Sequence, residues 1–380
     1  MQMTNRILFL SDGEMMVYED GKARRLHSAR KALYIRTAHN LEERNAWKYE
    51  GAGAKFQHQA NPYEYRSRTA EADCQIRAIA PWKGRLLYAL TTPEIGGLFV
   101  KDAADDDAPE SNWLSEREFR PVDLHVQGDQ VALAVDSVLG ERHIAVMKED
   151  SSRYEIVTQG DTQDSAPFLC PDGRYIYLTS AGWARDEQGR ILAKGPASLL
   201  RLDLRGGEME EIATDDAYDY LRPKLAPDGG LYVIRRPYKS GIPKRMTIID
   251  RAKNIGATLK GLGKLLQAIG DPEGTAKRTP RVAGQSAEAA QKRMLEGVML
   301  DISKGRAEDG GDEGCIPADW LLMRQTPDGH FEEVHKGVAD YDFDGDALIF
   351  TDGRRIIRLE DGKKTVLHKA VFIPRIAVSK

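Results

Sequence analysis

Two stretches of the sequence repeat one pattern about 56 residues apart. They are DSAPFLCPDGRYIYLTS at 164–180 and YLRPKLAPDGGLYVIRR at 220–236. In each, a proline and a short apolar patch precede Pro-Asp-Gly, and an alternating apolar run follows. Proline presets φ for a turn, aspartate and glycine suit the next positions, and the run is rich in β-branched and aromatic residues. Each stretch therefore predicts a β-hairpin, and a hairpin repeated along the chain indicates a repeat architecture.

The two ends of the chain also match each other. Residues 6–28 read RILFLSDGEMMVYEDGKARRLHS and residues 347–369 read ALIFTDGRRIIRLEDGKKTVLHK. Asp-Gly between alternating apolar runs is a strong hairpin signal, and each segment contains two such turns. Each segment therefore predicts a three-stranded meander.

Four further units of the same kind lie between these ends, which gives six four-stranded units of roughly 40 to 50 residues. The sequence predicts an all-β fold: a six-bladed β-propeller of four-stranded antiparallel blades. The segment AVFIPRIAV at 370–378 can supply the inner strand of the blade formed by residues 6–28. N- and C-terminal strands would then close the ring in one blade and remove open sheet edges. A β-sandwich is the structural alternative.

The two Pro-Asp-Gly repeats resemble those of the TolB-like six-bladed β-propellers. The shared pattern is a polar residue, two residues, proline, a short gap, Pro-Asp-Gly and a strand. The resemblance implies a six-bladed propeller, a fold that also occurs as the propeller of prolyl oligopeptidase-type peptidases. Those peptidases need a further α/β-hydrolase domain, for which this sequence has no remaining segment.

Composition narrows the possible partners and locations. The 380-residue chain has a formal net charge of −4 and no arginine-rich arm, so we expect no nucleic acid partner. No run of 18 apolar residues is present, so we expect no membrane span. The three cysteines show no disulfide or metal spacing, and the N-terminus lacks the pattern of a signal peptide. These features predict a cytoplasmic protein.

Three interruptions of the repeats, near 38–72, 182–197 and 246–317, are predicted to decorate one face of the disc. The largest divides the domain, which we place at 1–251 and 315–380, and it carries a helical insertion with flexible linkers at 252–314. Apolar residues recur there at helical spacing. In the first predicted helix they include Leu259, Leu262, Leu265, Leu266 and Ile269, and in the second they are Leu295, Val298, Met299 and Ile302. The insertion is predicted either to pack on the rim or to act as a lid or a dock for a partner.

A glycine-rich aromatic stretch, RNAWKYEGAGAKFQ at 44–57, lies in the first interruption. It predicts either a strand pair that plugs the face or a loop that contacts a ligand or peptide. With the five apolar residues of the first predicted helix, Trp47, Tyr49 and Phe56 form our candidate partner-binding set.

Motifs for catalysis are weak. No G-x-S-x-G or glycine-rich phosphate loop occurs, and the eight histidines are dispersed. The run ADYDFDGDA at 339–347 copies the first half of a calcium loop but lacks the closing acid, and it fits an inner strand as well. We therefore expect no catalytic, cofactor-binding or metal-binding residues and no cofactor.

These features favour a non-catalytic scaffold or adaptor that binds a protein partner through the decorated face. Whether the protein is an enzyme stays open. The alternative is a metal-dependent propeller hydrolase or lyase acting at the central channel.

Overall fold

The computed structural model of the protein describes residues 6–49, 61–149, 151–239, 292–305 and 314–379. Regular structure in these residues is mainly antiparallel β-sheet, with two α-helices and two short 3-10 helices. None of the helices in the described ranges is long and apolar enough to cross a membrane.

The strands are numbered in chain order. The first seven are β1 (Arg6–Ser11), β2 (Glu14–Glu19), β3 (Lys22–Leu26), β4 (Gln75–Trp82), β5 (Arg85–Thr91), β6 (Ile95–Lys101) and β7 (Ser111–Arg117). The next nine are β8 (Pro121–Gln127), β9 (Gln130–Asp136), β10 (Arg142–Lys148), β11 (Glu155–Ile156), β12 (Thr162–Leu169), β13 (Tyr175–Arg185), β14 (Ile191–Lys194), β15 (Ser198–Asp203) and β16 (Met209–Ala213). The remaining ones are β17 (Tyr218–Leu225), β18 (Leu231–Pro237), β19 (Lys292–Leu295), β20 (Val298–Asp301), β21 (Leu321–Gln325), β22 (Phe331–Lys336), β23 (Asp340–Asp344), β24 (Ala347–Thr351), β25 (Gly353–Glu360), β26 (Lys363–Ile373) and β27 (Arg375–Ser379).

The strands form up-and-down antiparallel sheets, as the repeats predict. Four of the sheets have four strands, in the orders β27-β1-β2-β3, β4-β5-β6-β7, β17-β18-β21-β22 and β23-β24-β25-β26. A larger sheet contains β8-β9-β10 with β11 beside β10, and β12-β13-β15-β16 with β14 beside β13. Its two halves are joined only where Arg142 pairs with Gln163 in parallel. The four-stranded antiparallel unit is thus confirmed.

Both ends of the chain meet in one sheet. The last strand, β27, pairs antiparallel with β1, so that Ile7 lies opposite Val378 and Phe9 opposite Ile376. The side chains of Phe9 and Ile376 are both buried. The prediction that the segment at 370–378 supplies a strand beside residues 6–28 is confirmed for β27.

The predicted Pro-Asp-Gly turns are also present. In each, the glycine N–H donates to the carbonyl of the residue before the proline, at 2.9 Å from Gly173 to Cys170 and from Gly229 to Ala226. Both glycines have positive φ, at 64° and 83°, which residues with a Cβ rarely adopt.

Two helices occupy the first interruption. Helix α1 (Ala29–Asn45) begins after Ser28, whose hydroxyl accepts from the Lys31 N–H, and a 3-10 turn (Ala46–Lys48) follows it. Helix α2 (Pro62–Asp73) begins after Asn61 with proline at its first position, where a missing N–H costs nothing. A strand pair over 44–57 is therefore wrong for residues 44–49, and residues 50–60 lie outside the described ranges.

The second predicted helix of the insertion is wrong where it is described. Strands β19 and β20 form a hairpin in which Leu295 pairs with Val298, and a 3-10 turn (Ile302–Gly305) follows. Glu296 and Gly297 between them both have positive φ, at 48° and 76°, which is the geometry of a two-residue hairpin turn. The first predicted helix, with Leu259, Leu262, Leu265, Leu266 and Ile269, lies outside the described residues.

Candidate functional site

Two cavities lie along the strands that start the four-stranded units, β4, β8, β12, β17 and β23, and along β27. The later residues of these strands line a narrow cavity of about 470 Å³. The earlier residues of β4, β8, β12, β17 and β27 line a wide cavity of about 1570 Å³. The change from one cavity to the other occurs at the same level on neighbouring strands, between Leu221 and Arg222 on β17 and between Arg375 and Ile376 on β27.

A bulge in the repeated motif places Arg222 at this level. The pairing of β17 with β18 shifts between Leu221 and Lys224, and Arg222 has a φ of 56° directly before Pro223. The equivalent bulge in β12 places Ala166, with a φ of 51°, before Pro167. Non-glycine residues pay roughly 1–2 kcal/mol for this conformation. In β17 the Tyr341 hydroxyl donates to the Arg222 carbonyl at 2.7 Å and holds the bulge in place.

The Arg222 side chain and two carboxylates form a buried layer between the cavities. Arg222 donates to Asp123 of β8 and, at 3.4 Å, to both carboxylate oxygens of Asp340 of β23. Asp340 has no exposed side-chain surface, and it also accepts from the Ile376 N–H at 3.1 Å. We name Arg222, Asp123 and Asp340 the charged layer.

Arg222 and Asp340 of the charged layer stay ionised despite their burial. Burial disfavours the charge on Arg222, but the carboxylates of Asp123, Asp340 and Glu296 together raise the pKa of the guanidinium. Burial would likewise raise the pKa of Asp340, and Arg222 and Lys224 lower it instead. Opposite charges at this distance favour both ionised forms, so Arg222 and Asp340 neutralise each other.

Polar side chains that line the narrow cavity include those of Lys224, Asp342 and His125. Lys224 lies 3.8 Å from both Asp340 and Asp342, and it donates to the Tyr341 carbonyl. His125 is half-buried, and its Nδ1 accepts from the Leu169 N–H at 3.0 Å. Burial, with Lys224 and Arg222 nearby, lowers the pKa of His125 to about 3, so the ring is neutral at physiological pH.

The β19–β20 hairpin inserts a carboxylate into the wide cavity. Glu296, at the tip of the hairpin, pairs with Arg375 at 2.5 Å and lies 3.9 Å from Arg222. Its backbone carbonyl accepts from Arg236 at 2.8 Å. Burial would raise the pKa of Glu296, but four arginines, with Arg375 the strongest, lower it to about 2. Leu295 and Leu300 of the same hairpin are buried in the core, which anchors the tip.

The three interruptions of the repeats reach this same cavity. Its lining includes Thr69 of α2, Lys194 of β14 and Glu296 of the hairpin, together with Lys31 of α1, which precedes the first interruption. Other described residues of the interruptions do not line it, so the prediction that the interruptions decorate one face stays a prediction.

The predicted partner-binding residues lie elsewhere or cannot be placed. Trp47 is 71% exposed on the 3-10 turn after α1, and the ring of Tyr49 lies 6.2 Å from that of Tyr63. Neither lines the two cavities. Phe56 lies outside the described residues, so this set stays a prediction.

The run at 339–347 forms strand β23, as the strand interpretation predicts. Asp340 and Asp342 each accept from a β27 N–H, so both carboxylates hold that strand. Among the described residues, no group of three or more His, Cys, Asp and Glu side chains is arranged to hold a metal ion.

No protein-family model matches the chain, and no curated protein matches it by sequence. Among solved structures, TolB from Acinetobacter baumannii aligns with 100% of this chain and 67% of its own, at 11% identity and a TM-score of 0.51. This chain has the TolB-like β-propeller fold. A putative 6-phosphogluconolactonase from Bacteroides uniformis is also similar to this propeller, with a TM-score of 0.44 at 10% identity over 99% of this chain and 100% of that one. A putative TolB from Agrobacterium tumefaciens gives a TM-score of 0.38 at 12% identity over 79% of this chain and 82% of its own.

Proposed function

We propose that this propeller is a non-catalytic scaffold that binds a protein partner at the wide cavity. The observation that carries the proposal is the convergence of all three repeat interruptions on that one cavity. Loops and inserted elements on a rigid scaffold are where binding residues concentrate. The cavity, at about 1570 Å³, exceeds the usual range for a small-molecule pocket and suits a protein segment.

The proposal includes a closed ring of six blades. The β27–β1 pairing would close it, and the bond from Tyr341 to Arg222 would link the blades that start with β17 and β23. In such a ring the wide cavity is one mouth of a central channel. A cytoplasmic location is also part of the proposal, and it is supported by the three cysteines, which are buried free thiols.

Steric blocking of the cavity tests the function. Ala32 of α1 and Ala72 of α2 both line the cavity and are exposed, so A32W/A72W would obstruct part of it without changing any charge. Thr37→Trp is the matched control, because Thr37 is an exposed residue of α1 outside the lining. In affinity capture from native lysate, we expect a partner that binds the wild type and T37W and is lost with A32W/A72W.

Capture that is equal for all three proteins would show that the partner does not use the wide cavity. Capture of nothing by any of them would remove the support for a scaffold.

A metal-dependent hydrolase or lyase is the second candidate, because His125, Asp123 and Asp342 line the narrow cavity together. The carboxylates of this group already bind Arg222, Lys224 and backbone N–H groups, which argues against metal binding there. If calcium or manganese raises the melting temperature of the wild type and has no effect on Asp342→Asn, the hydrolase or lyase is favoured over the scaffold.

A further inference from the structure

The lining of the wide cavity carries an excess of positive charge. Eight lysines and arginines line it, against four aspartates and glutamates. The chain as a whole has a net charge of −4, so this excess is a local property of one surface. Local charge of one sign in a concave site attracts ligands of the opposite sign.

Two of these cations have no carboxylate partner. Arg77 of β4 donates to the amide oxygen of Gln75 at 2.6 Å, and Lys194 of β14 donates to that of Gln163 at 3.1 Å. Within the part of the chain that the structure describes, neither forms an ion pair. Lys194 is half-buried, and burial lowers its pKa, whereas Arg77 is exposed on β4. An incoming carboxylate could pair with either cation without displacing a carboxylate that is already bound to it.

Neighbouring arginines in the cavity already hold carboxylates. Arg142 pairs with Asp136 at 2.6 Å, and Arg375 pairs with Glu296 at 2.5 Å. Glu296 belongs to the inserted hairpin and not to the blades. The cavity therefore already binds one carboxylate that comes from outside the repeats. Its charge also acts on Arg77 and Lys194, although Asp136 acts more strongly on Arg77 and Asp219 more strongly on Lys194.

We propose that the wide cavity binds an acidic segment of the partner, with carboxylates on Arg77 and Lys194, and that Glu296 is an internal competitor for this segment. The inference rests on the proposed scaffold function and names the chemistry of its partner. A protein carboxylate is favoured over a nucleic acid phosphate because the Glu296–Arg375 pair shows that carboxylate geometry fits this cavity.

A labelled peptide tests the proposal directly. We would titrate a fluorescein-labelled octaglutamate peptide with the full chain at pH 7 and low salt, and follow the fluorescence anisotropy. Charge-assisted bonds to two cations should make R77Q/K194Q bind about tenfold more weakly than the wild type. Glu296→Gln should bind about tenfold more tightly, because the competing carboxylate is gone. The binding should weaken as salt is added.

Three controls make the result specific. K363Q/K364Q removes the same charge from exposed positions on the outer strand β26 and should bind like the wild type. Octaglutamine should not bind. The melting temperature of each variant shows whether it is folded, and R77Q/K194Q alters residues outside the apolar core.

The outcomes separate this inference from the scaffold function. If octaglutamate binds neither the wild type nor Glu296→Gln, or if R77Q/K194Q and K363Q/K364Q behave alike, the inference is overturned even when A32W/A72W loses a captured partner. Tighter binding of a single-stranded oligonucleotide than of octaglutamate would also overturn it. If the peptide results hold while no protein is captured, the anion site stands and the scaffold function fails.

Discussion

Arg222 adopts a left-handed backbone conformation, which arginine seldom does. The ion pairs of its side chain explain why the backbone strain is tolerated. The left-handed residue before Pro223 lies beside two buried aspartates from strands far away in sequence, Asp123 and Asp340. Strained backbone of this kind persists where the surroundings hold it, and it often marks functional positions. Here the strained residue separates the two cavities.

Removing Arg222 should cost far more than removing a surface arginine. Arg222→Ala leaves Asp123 and Asp340 buried without their cation, and breaking such a pair costs about 3–5 kcal/mol of unfolding free energy. Arg201→Ala is the control, since its pair with Glu210 on the surface should contribute about 0–1 kcal/mol. Urea unfolding measures both. Equal losses for the two variants would show that the charged layer does not stabilise the fold.

At the scale of single elements, the turn residues predicted hairpins correctly and the spacing of apolar residues did not. The Pro-Asp-Gly and Asp-Gly turns were predictable because the turn is set by adjacent residues. The hairpin β19–β20 was not, because Leu295, Val298, Met299 and Ile302 fit helical spacing as well as they fit two paired strands. Glu-Gly at 296–297 was the turn signal that distinguishes them. The partners of Arg222 lie 99 and 118 residues away, so no local pattern could reveal them.

Replacing Gly297 by alanine tests whether this segment is a hairpin or a helix, because the two structures predict changes in unfolding free energy of opposite sign. Gly297 has a φ of 76° and open space around its Cα, so Gly297→Ala should lower the unfolding free energy by about 1 kcal/mol through backbone strain alone. In a helix the same substitution would raise it by about 1 kcal/mol. Gly362→Ala, in the β25–β26 turn with a φ of 75°, should show a similar loss and serves as the reference. A higher unfolding free energy for Gly297→Ala in chemical unfolding would support the helix and contradict the hairpin.

At the scale of the whole molecule, the repeats predicted the four-stranded units and the meeting of the two chain ends. The residues of the cavity walls were not predictable from the sequence. Arg77, Lys194 and Glu296 come from three separate parts of the chain. Only the folded sheets bring them to one surface.

The terminal strand should be needed for a stable, monomeric protein. A chain that ends at Pro374 lacks β27, which leaves an edge of β1 unpaired and exposes apolar surface that Ile376 covers. Unpaired sheet edges promote aggregation. We expect early elution or loss of the monomer peak in size-exclusion chromatography, whereas a chain ending at Ser379 should behave as the wild type. A stable monomer ending at Pro374 would contradict a ring held by its ends.

The charged layer of Arg222, Asp123 and Asp340 also determines what the two sides of the protein can do. These side chains are buried, and they lie where the lining of the wide cavity gives way to that of the narrow cavity. In the proposed ring the two cavities would therefore be separate binding sites on opposite sides of this layer. Two different molecules could therefore bind at the same time, one in each cavity, without competing for the same site.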